Sequence, residues 1–290
     1  MIASTLGAAA ATVVLTLASA SFAHAQPQSK TQQACINSLN KAGAKVAKAQ
    51  SKENTTCLKA AGKGDEEDAQ GCLTTDAKEK VSTAKSKTEV AASRDCPEAP
   101  DFGAAGHGTI NAAAQGGELC IIEDVFGADL TAAVLTDEHG AQCQSRVLKT
   151  VEKLAATYMK GFQKCKKKFL KSGSIISETG LEACVDGAAA DSKLGKAVDR
   201  VGTTFLKSCD GTPQATAFPG ECASAPFSAC IDEHVRCRFC LTADAMDSLT
   251  RDCDLFDNNT ADASCDVTPP TPTTTTTTST VPFLQRATRY

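Results

Sequence analysis

Two cysteines are spaced as in redox-active proteins. Cys237 and Cys240 form a Cys-x-x-Cys motif, which in disulfide oxidoreductases supplies a reactive thiolate where a helix follows a strand. No alternation of strands and helices surrounds the motif, and Leu241 stands where a c-type haem site needs a histidine. The sequence therefore favours a structural disulfide between the two, with thiol–disulfide exchange as an alternative function.

Metal binding is the second chemistry that the residue types permit. Four cysteines have spacings that zinc sites use, although an oxidising compartment favours their oxidation: Cys230, Cys237, Cys240 and Cys253. Oxygen ligands crowd one acidic stretch, as in calcium loops: Asp252, Asp254, Asp257, Asn258, Asn259 and Asp262. The EF-hand order fails there, because Phe256 occupies a ligand position and the invariant glycine is absent. We expect a solvated turn without metal, and calcium binding is the alternative.

Patterns typical of enzymes do not occur in the chain. His107, His139 and His234 are isolated from one another, and there is no Gly-x-Ser-x-Gly, His-Glu-x-x-His, P-loop or Gly-x-Gly-x-x-Gly motif. The sequence thus predicts a protein that is not an enzyme, with neither catalytic residues nor a cofactor.

Positive charge is concentrated between Arg146 and Lys171, where nine lysines or arginines stand against one glutamate. The expected explanation is a solvated helix face. The alternative is a surface for an envelope component or another anionic partner at the densest point, formed by Lys164, Lys166, Lys167 and Lys168. A net charge of −4 predicts no general affinity for nucleic acid.

Export is indicated by the N-terminal segment and by the cysteine content. Residues 1–25 resemble a signal peptide, with an apolar run that ends at Ala23-His24-Ala25. All 15 cysteines follow this segment, which is typical of proteins from oxidising compartments. We expect a secreted or periplasmic protein, with the cell surface as an alternative location. After cleavage of the signal peptide, the mature chain is expected to have no membrane span. The Thr/Pro-rich tail, 267–290, is expected to be disordered.

The cysteines indicate an internal duplication. Cys143 lies 108 residues after Cys35, and Cys165 lies 108 residues after Cys57. The same offset superimposes lysines and an alanine: Lys41 on Lys149, Lys45 on Lys153, Ala47 on Ala155, Lys59 on Lys167 and Lys63 on Lys171. Asp76-Ala-Lys78 and Asp191-Ser-Lys193 also match in the later parts of the two repeats.

Each repeat is predicted to be an antiparallel pair of helices. Apolar residues recur every three or four positions on both sides of a Gly-containing loop, and the two cysteines of each long helix share a face. Inner cysteines then oppose inner ones, and outer cysteines oppose outer ones. The predicted disulfides are Cys57–Cys72, Cys35–Cys96, Cys165–Cys184 and Cys143–Cys209.

A third, shortened hairpin is expected near the C-terminus, where Cys240-Leu-Thr-Ala-Asp-Ala matches Cys72-Leu-Thr-Thr-Asp-Ala. By that alignment Cys237 pairs with Cys240, Cys230 with Cys253, and Cys222 with Cys265, although six cysteines allow 15 pairings. Cys120 is then left over as a free thiol, either buried and inert or available for an intermolecular bond.

Two resemblances accompany these motifs. The disulfide-framed hairpin is similar in principle to the twin-CX9C coiled-coil–helix–coiled-coil–helix proteins, but its spacings are longer, so no function is carried over. Cys237-Arg-Phe-Cys240 with Asp252-Cys253-Asp254 resembles a stretch of uncharacterised cysteine-rich secreted bacterial proteins with predicted helical-hairpin repeats. That resemblance implies a bacterial, exported protein and no specific activity.

The predicted fold is all-α: duplicated, disulfide-stapled antiparallel helical hairpins plus a small cysteine-rich helical module. The predicted units are a signal peptide (1–25), hairpin one (31–98), a linker with a hydrophobic helix (99–142, with 103–117 as a loop), hairpin two (143–210), the cysteine-rich module (217–266) and the tail (267–290). The leading function is a structural or binding role with an unknown partner. Redox exchange, and calcium or polyanion binding, are the alternatives.

Overall fold

The structure is a computed structural model that describes residues 26–262 and 264–265. These residues are all-α without a strand, as predicted. The predicted signal peptide and the Thr/Pro-rich tail lie outside the described residues. The helices of the described part are α1 (Lys30–Ala61), α2 (Ala69–Thr75), α3 (Lys80–Asp95), α4 (His107–Phe126), α5 (Leu130–Ala133), α6 (Glu138–Ser172), α7 (Glu178–Ala189), α8 (Ser192–Ser208), α9 (Gln214–Ala217), α10 (Phe227–Asp247) and α11 (Cys253–Asn258).

The first arm consists of α1, α2 and α3. A capping box starts α1, since the Ser29 hydroxyl accepts from the Gln32 backbone N–H and the Gln32 side chain accepts from the Ser29 N–H. The helix then continues for 32 residues. Disulfides Cys35–Cys96 and Cys57–Cys72 fasten α3 and α2 to it, which confirms the predicted outer and inner pairings.

The second arm consists of α6, α7 and α8. Asp137 caps α6 by accepting from the Gly140 N–H at 2.8 Å, so the helix begins before Cys143, where the predicted hairpin started. It ends at Gly173, whose φ of 70° suits glycine. Disulfides Cys143–Cys209 and Cys165–Cys184 join it to α8 and α7, again as predicted.

The returning segment of each arm is broken into two helices. Between α2 and α3, the Asp76 carboxylate accepts from the backbone N–H groups of Val81 at 3.0 Å and Ser82 at 2.8 Å. Between α7 and α8, Asp191 accepts from the Lys193 N–H at 2.9 Å. The Asp-x-Lys match in the sequence therefore marks the start of a new helix in both arms.

α4 contradicts the prediction of a loop over 103–117, because residues 107–117 are helical. Ile110 and Ala114 are fully buried there, and Gly117 lies so close to Thr242 that a Cβ would come within 2.3 Å of the hydroxyl oxygen. Packing against α1 and α10 therefore overrides the low helix propensity of the glycines.

Pairing in the C-terminal module also differs from the prediction. The disulfides are Cys222–Cys230, Cys237–Cys265 and Cys240–Cys253, so the predicted pairs Cys237–Cys240, Cys230–Cys253 and Cys222–Cys265 are wrong. The reason is that α10 is one unbroken helix. Cys237 and Cys240 lie one turn apart on the same face of α10. The C-terminal segment packs on this face, so Cys240 bonds to Cys253 at the start of α11 and Cys237 bonds to Cys265 beyond it.

The two long helices lie side by side and antiparallel. Gln163 of α6 donates to the Asn40 carbonyl oxygen of α1 at 3.0 Å, and farther along Thr55 of α1 donates to Glu152 of α6 at 2.8 Å. α4 and α10 pack on this pair, and a single cluster of buried side chains runs through both arms and the C-terminal module.

Two buried ion pairs cross between these helices. Arg238 of α10 holds Asp124 of α4 through two hydrogen bonds of 2.8 and 2.6 Å. Lys166 of α6 pairs with Asp247 at the end of α10, and Asn40 of α1 donates to the same carboxylate at 2.8 Å. Lys166 is only 1% exposed, so its predicted place on an anion-binding surface is wrong.

None of the described helices is both long enough and apolar enough to cross a membrane.

Candidate functional site

A cavity of about 720 Å³ opens where four helices meet, and we call it the central cleft. α1 and α6 supply most of its lining, with contributions from α4, α10 and Lys80. The lining residues of α4 and α10 include buried Ile121, Arg238 and Phe239, so these two helices close the inner side. A cleft of this size, formed between packed helices, is a typical place for a small-molecule site.

Lysines surround the central cleft. Nine of them line it, and all are exposed: Lys41, Lys45, Lys48, Lys52, Lys59, Lys80, Lys149, Lys153 and Lys160. Within residues 26–262 and 264–265, none of the nine takes part in an ion pair. The opening therefore carries nine positive charges without an ion-pair partner among the described residues, and it should attract anions.

Six of these lysines come from matched positions of the two arms. The offset of 108 that superimposes Cys35 on Cys143 equates three pairs: Lys41 with Lys149, Lys45 with Lys153, and Lys52 with Lys160. Because α1 and α6 are antiparallel, the matched lysines approach the cleft from opposite ends. The lysines that match between the two repeats of the sequence thus lie around one opening in the structure.

The cleft wall beneath the lysines is largely apolar. Its apolar side chains are Ala44, Ala47, Ala114, Ile121, Ala155, Ala156, Met159 and Phe239. The small alanines leave the space, while Met159 and Phe239 give it polarisable walls. The combination suits a ligand with an apolar body and a negative charge.

Two glutamates lie in this apolar lining. Glu118 of α4 is 8% exposed and Glu152 of α6 is 7% exposed, and both belong to the cleft wall. Thr55 donates to one oxygen of Glu152 at 2.8 Å, and Asn54 fixes α4 by donating to the Glu118 backbone oxygen at 3.0 Å. Glu118 Oε2 and Glu152 Oε1 are buried and have no hydrogen-bond partner.

Burial and proximity shift the pKa values of this acid pair. Burial raises the pKa of Glu118 well above its usual range, and the neighbouring Glu152 charge raises it further. Burial raises the pKa of Glu152 to about 7, although hydrogen bonds from Thr55 and Ser51 and the charge of Lys59 oppose the shift. Burial thus favours the protonated, hydrogen-bond-donating form of Glu118, while Glu152, with a pKa of about 7, is close to its titration midpoint at neutral pH.

The cysteines for which redox or zinc chemistry was an alternative are all bound in disulfides. Cys237 and Cys240 each have a different disulfide partner, so the Cys-x-x-Cys pair required for redox exchange is not formed. The four cysteines considered as zinc ligands are all oxidised and belong to three separate disulfides. Cys120 is the free cysteine of the described residues, and burial raises its pKa to about 11, which suppresses its nucleophilicity.

The acidic stretch considered for calcium is engaged in local hydrogen bonds. Asp252 caps α11 through the Leu255 N–H, and Ser264 donates to Asp254 and Asp257. Asn258 donates to Glu233 at 2.7 Å. These contacts hold the segment around Cys265 against α11.

The basic cluster of α6 does not line the central cleft. Lys164 lines a second, smaller depression of about 410 Å³ between α6 and α8, while Lys167 and Lys168 are exposed outside both cavities. The depression is also lined by Lys153, Lys160, Lys193, Lys196 and Arg200, with Asp191 as its acidic residue. Lys153 and Lys160 lie between the two cavities.

Sequence reasoning missed the acid pair. Glu118 directly follows the stretch predicted to be a loop, 103–117, and Glu152 is the single acid within a basic run. One signal was present: offset alignment places Glu152 opposite Ala44, a charged residue at an otherwise apolar helix position.

The chain matches no protein-family model, no curated protein and no solved structure. The arguments about function therefore rest on the geometry of the central cleft.

Proposed function

We propose that this protein is a secreted or periplasmic, non-enzymatic binding protein whose central cleft takes an anionic amphiphile. By this we mean a small molecule with an apolar chain and a negatively charged head. The supporting observation is the ring of nine unpaired lysines around a cavity of about 720 Å³ with a largely apolar wall. Charge at the rim and apolar surface inside complement the two parts of such a molecule.

An oxidising location is supported by the cysteines. Fourteen of them form seven disulfides within the described residues, a density typical of exported proteins. These cross-links fix the helices that form the cleft, and a rigid cleft binds with a smaller entropic cost. The disulfides thus act as a frame for binding rather than as reactive groups.

The test compares ligands with the same twelve-carbon chain and different heads. Titration calorimetry of the full, oxidised protein at low salt would use dodecanoate, dodecyltrimethylammonium and dodecyl maltoside below their micellar concentrations. Dodecanoate should bind at least about ten-fold more tightly than the other two, and added salt should weaken it. Equal binding of the three ligands would contradict the proposal.

Lysine variants locate the binding. Replacing Lys45, Lys52, Lys153 and Lys160 by glutamine should weaken dodecanoate binding by about ten-fold or more, since each lysine adds attraction for the head. The matched control replaces four exposed lysines outside the cleft: Lys63, Lys87, Lys171 and Lys207. If both variants lost the same affinity, only the net charge would matter and the cleft assignment would fail.

Polyanion binding is a second candidate, favoured by the depression beside Lys164. Six basic residues line it, so an extended anionic polymer could contact both cavities across Lys153 and Lys160. A sulfated polysaccharide that bound more tightly than dodecanoate, and lost its affinity when Lys164, Lys193 and Lys196 were replaced, would favour this candidate.

A further inference from the structure

The acid pair in the central cleft has unused hydrogen-bonding capacity. Glu118 Oε2 and Glu152 Oε1 are shielded from solvent and have no partner, in side chains that are more than nine-tenths buried. Leaving a buried polar atom unpaired is costly, so such atoms usually mark strain or an absent partner. Both residues line the cavity, so a ligand in the cleft can supply that partner.

The protonation states of the pair are complementary. Burial and the nearby Glu152 charge raise the pKa of Glu118, which favours the protonated carboxyl group that donates a hydrogen bond. Glu152, with a pKa of about 7, exists half as a carboxylate that accepts one. A hydroxyl group carries both functions, because its hydrogen can be donated to a carboxylate such as Glu152 and its oxygen can accept from a protonated carboxyl group such as Glu118.

No cation competes directly for this position. Arg238, the charged group from α10, is bound by Asp124 through two hydrogen bonds. From α1, Thr55 occupies one oxygen of Glu152, and Lys59 is exposed although its charge lowers the Glu152 pKa. The neighbouring α6 lysines, Lys149 and Lys153, are likewise exposed. The pair therefore belongs to the cavity wall without an ion-pair partner among the described residues.

The acid pair lies away from one end of the cleft. Thr55, which contacts Glu152, is ten residues beyond Lys45 on α1, a distance of about 15 Å along a helix. Lys41, Lys45 and Lys160 belong to the far end, where Gln163 contacts Asn40. An extended chain of about twelve carbons has the length needed to join the two places.

We propose that Glu118 and Glu152 bind a hydroxyl group at the far end of the ligand's apolar chain, while the anionic head lies at Lys41, Lys45 and Lys160. The ligand class is thus an ω-hydroxylated carboxylate of medium chain length. This inference rests on the proposed function and adds the second polar group that the ligand carries.

The experiment compares 12-hydroxydodecanoate with dodecanoate on the full, oxidised protein at pH 7. The hydroxylated ligand should bind about ten-fold more tightly, as expected for a hydrogen bond made to a buried charged group. Equal affinities would overturn the inference and leave the proposed function intact. Absence of binding by either ligand would overturn both.

Variants assign the preference to the acid pair. Replacing both Glu118 and Glu152 by leucine should abolish the preference, so that 12-hydroxydodecanoate and dodecanoate bind this variant with equal affinity, because the wall then offers no hydrogen-bond partner. Replacing both by glutamine keeps donors and acceptors and should retain most of the preference. Glu53→Gln, a buried carboxylate of α1 outside the cleft lining, is the matched control. A preference that survived the leucine variant would overturn the inference.

Discussion

Both long helices bury aliphatic side chains, but that of the first arm adds amide side chains and has no aromatic residue, whereas that of the second arm adds aromatic rings. On α1, Asn54 donates to the Glu118 backbone oxygen of α4 at 3.0 Å, and Gln50 donates to the Leu73 oxygen of α2 at 2.8 Å. On α6, Tyr158 stacks on Phe239 of α10 with ring centroids 5.3 Å apart, and Phe162 meets the same ring at 6.1 Å.

The cross-links of the two arms are nearly the same. The outer disulfides join residues 61 and 66 positions apart, so in the chain-entropy model they restrict the unfolded chain to a similar extent. The arms therefore differ in the chemistry of their contacts rather than in their covalent frame. Rings contribute buried apolar area, while amides mainly satisfy buried backbone groups and fix the register.

The largest effect on stability should come from removing the ring of Phe239, which contacts both Tyr158 and Phe162. Phe239→Ala should lower the free energy of unfolding by about 3–5 kcal/mol, because it removes a buried ring and leaves a cavity. The measurement is urea denaturation with the disulfides intact. Leu241→Ala, a neighbouring α10 residue that is 38% exposed, should cost much less and serves as the control.

For the first arm, the corresponding test removes an amide side chain of α1. Asn54→Ala removes two buried hydrogen bonds, the one it donates to the Glu118 backbone oxygen and the one it accepts from the Gln50 side chain, at a cost of about 1–3 kcal/mol. A loss as large as that of Phe239→Ala would mean that amide contacts hold the first arm as strongly as rings hold the second.

Much of the architecture could be predicted because it depends on local periodicity and cysteine spacing. Apolar residues every three or four positions indicated the long helices, and the distances between cysteines fixed all four disulfides of the arms. Both signals are properties of one segment or of one pair of segments. They need no knowledge of how the arms pack on each other.

What failed depends on contacts between distant segments. Residues 107–117 are helical because α1 and α10 enclose them. Lys166 is buried because Asp247 of a second helix pairs with it, and Asn40 of a third helix donates to the same carboxylate. The pairing in the C-terminal module followed from the continuity of α10, which a shortened-hairpin alignment could not show. The central cleft was unpredictable for the same reason, since its walls come from both arms.

Glu152 distinguishes the second arm from the first, because the matched position of the first arm is the uncharged Ala44. We expect its effect on stability to be of intermediate size. Its folded-state pKa of about 7 lies above the ordinary 4.5. Between these values the folded protein holds a proton that the unfolded chain has released, so this group's contribution to stability is present at low pH and is lost as the pH rises towards 7. The slope is about 1.4 kcal/mol per pH unit.

Glu152→Gln should remove this slope. The free energy of unfolding of the variant, relative to the natural protein, should rise by about 2–3 kcal/mol between pH 5 and pH 8. Asp244, whose pKa burial also raises to about 7, is present in both proteins and cancels in the difference. Parallel stability curves over this pH range would show that Glu152 does not titrate there.

The smallest effect concerns the breaks in the two returning segments. The Asp76 carboxylate uses both oxygens on backbone N–H groups of α3, and these bonds help to lower its pKa despite partial burial, whereas Asp191 uses one oxygen on Lys193. Asparagine has a single acceptor oxygen and tolerates the Asp76 φ of 46°, so the substitution adds no backbone strain. Asp76→Asn should therefore cost about 1 kcal/mol and Asp191→Asn less than about half of that, as measured by thermal unfolding. Equal losses would mean that the negative charge at the helix start matters more than the second hydrogen bond, because that charge is what both substitutions remove.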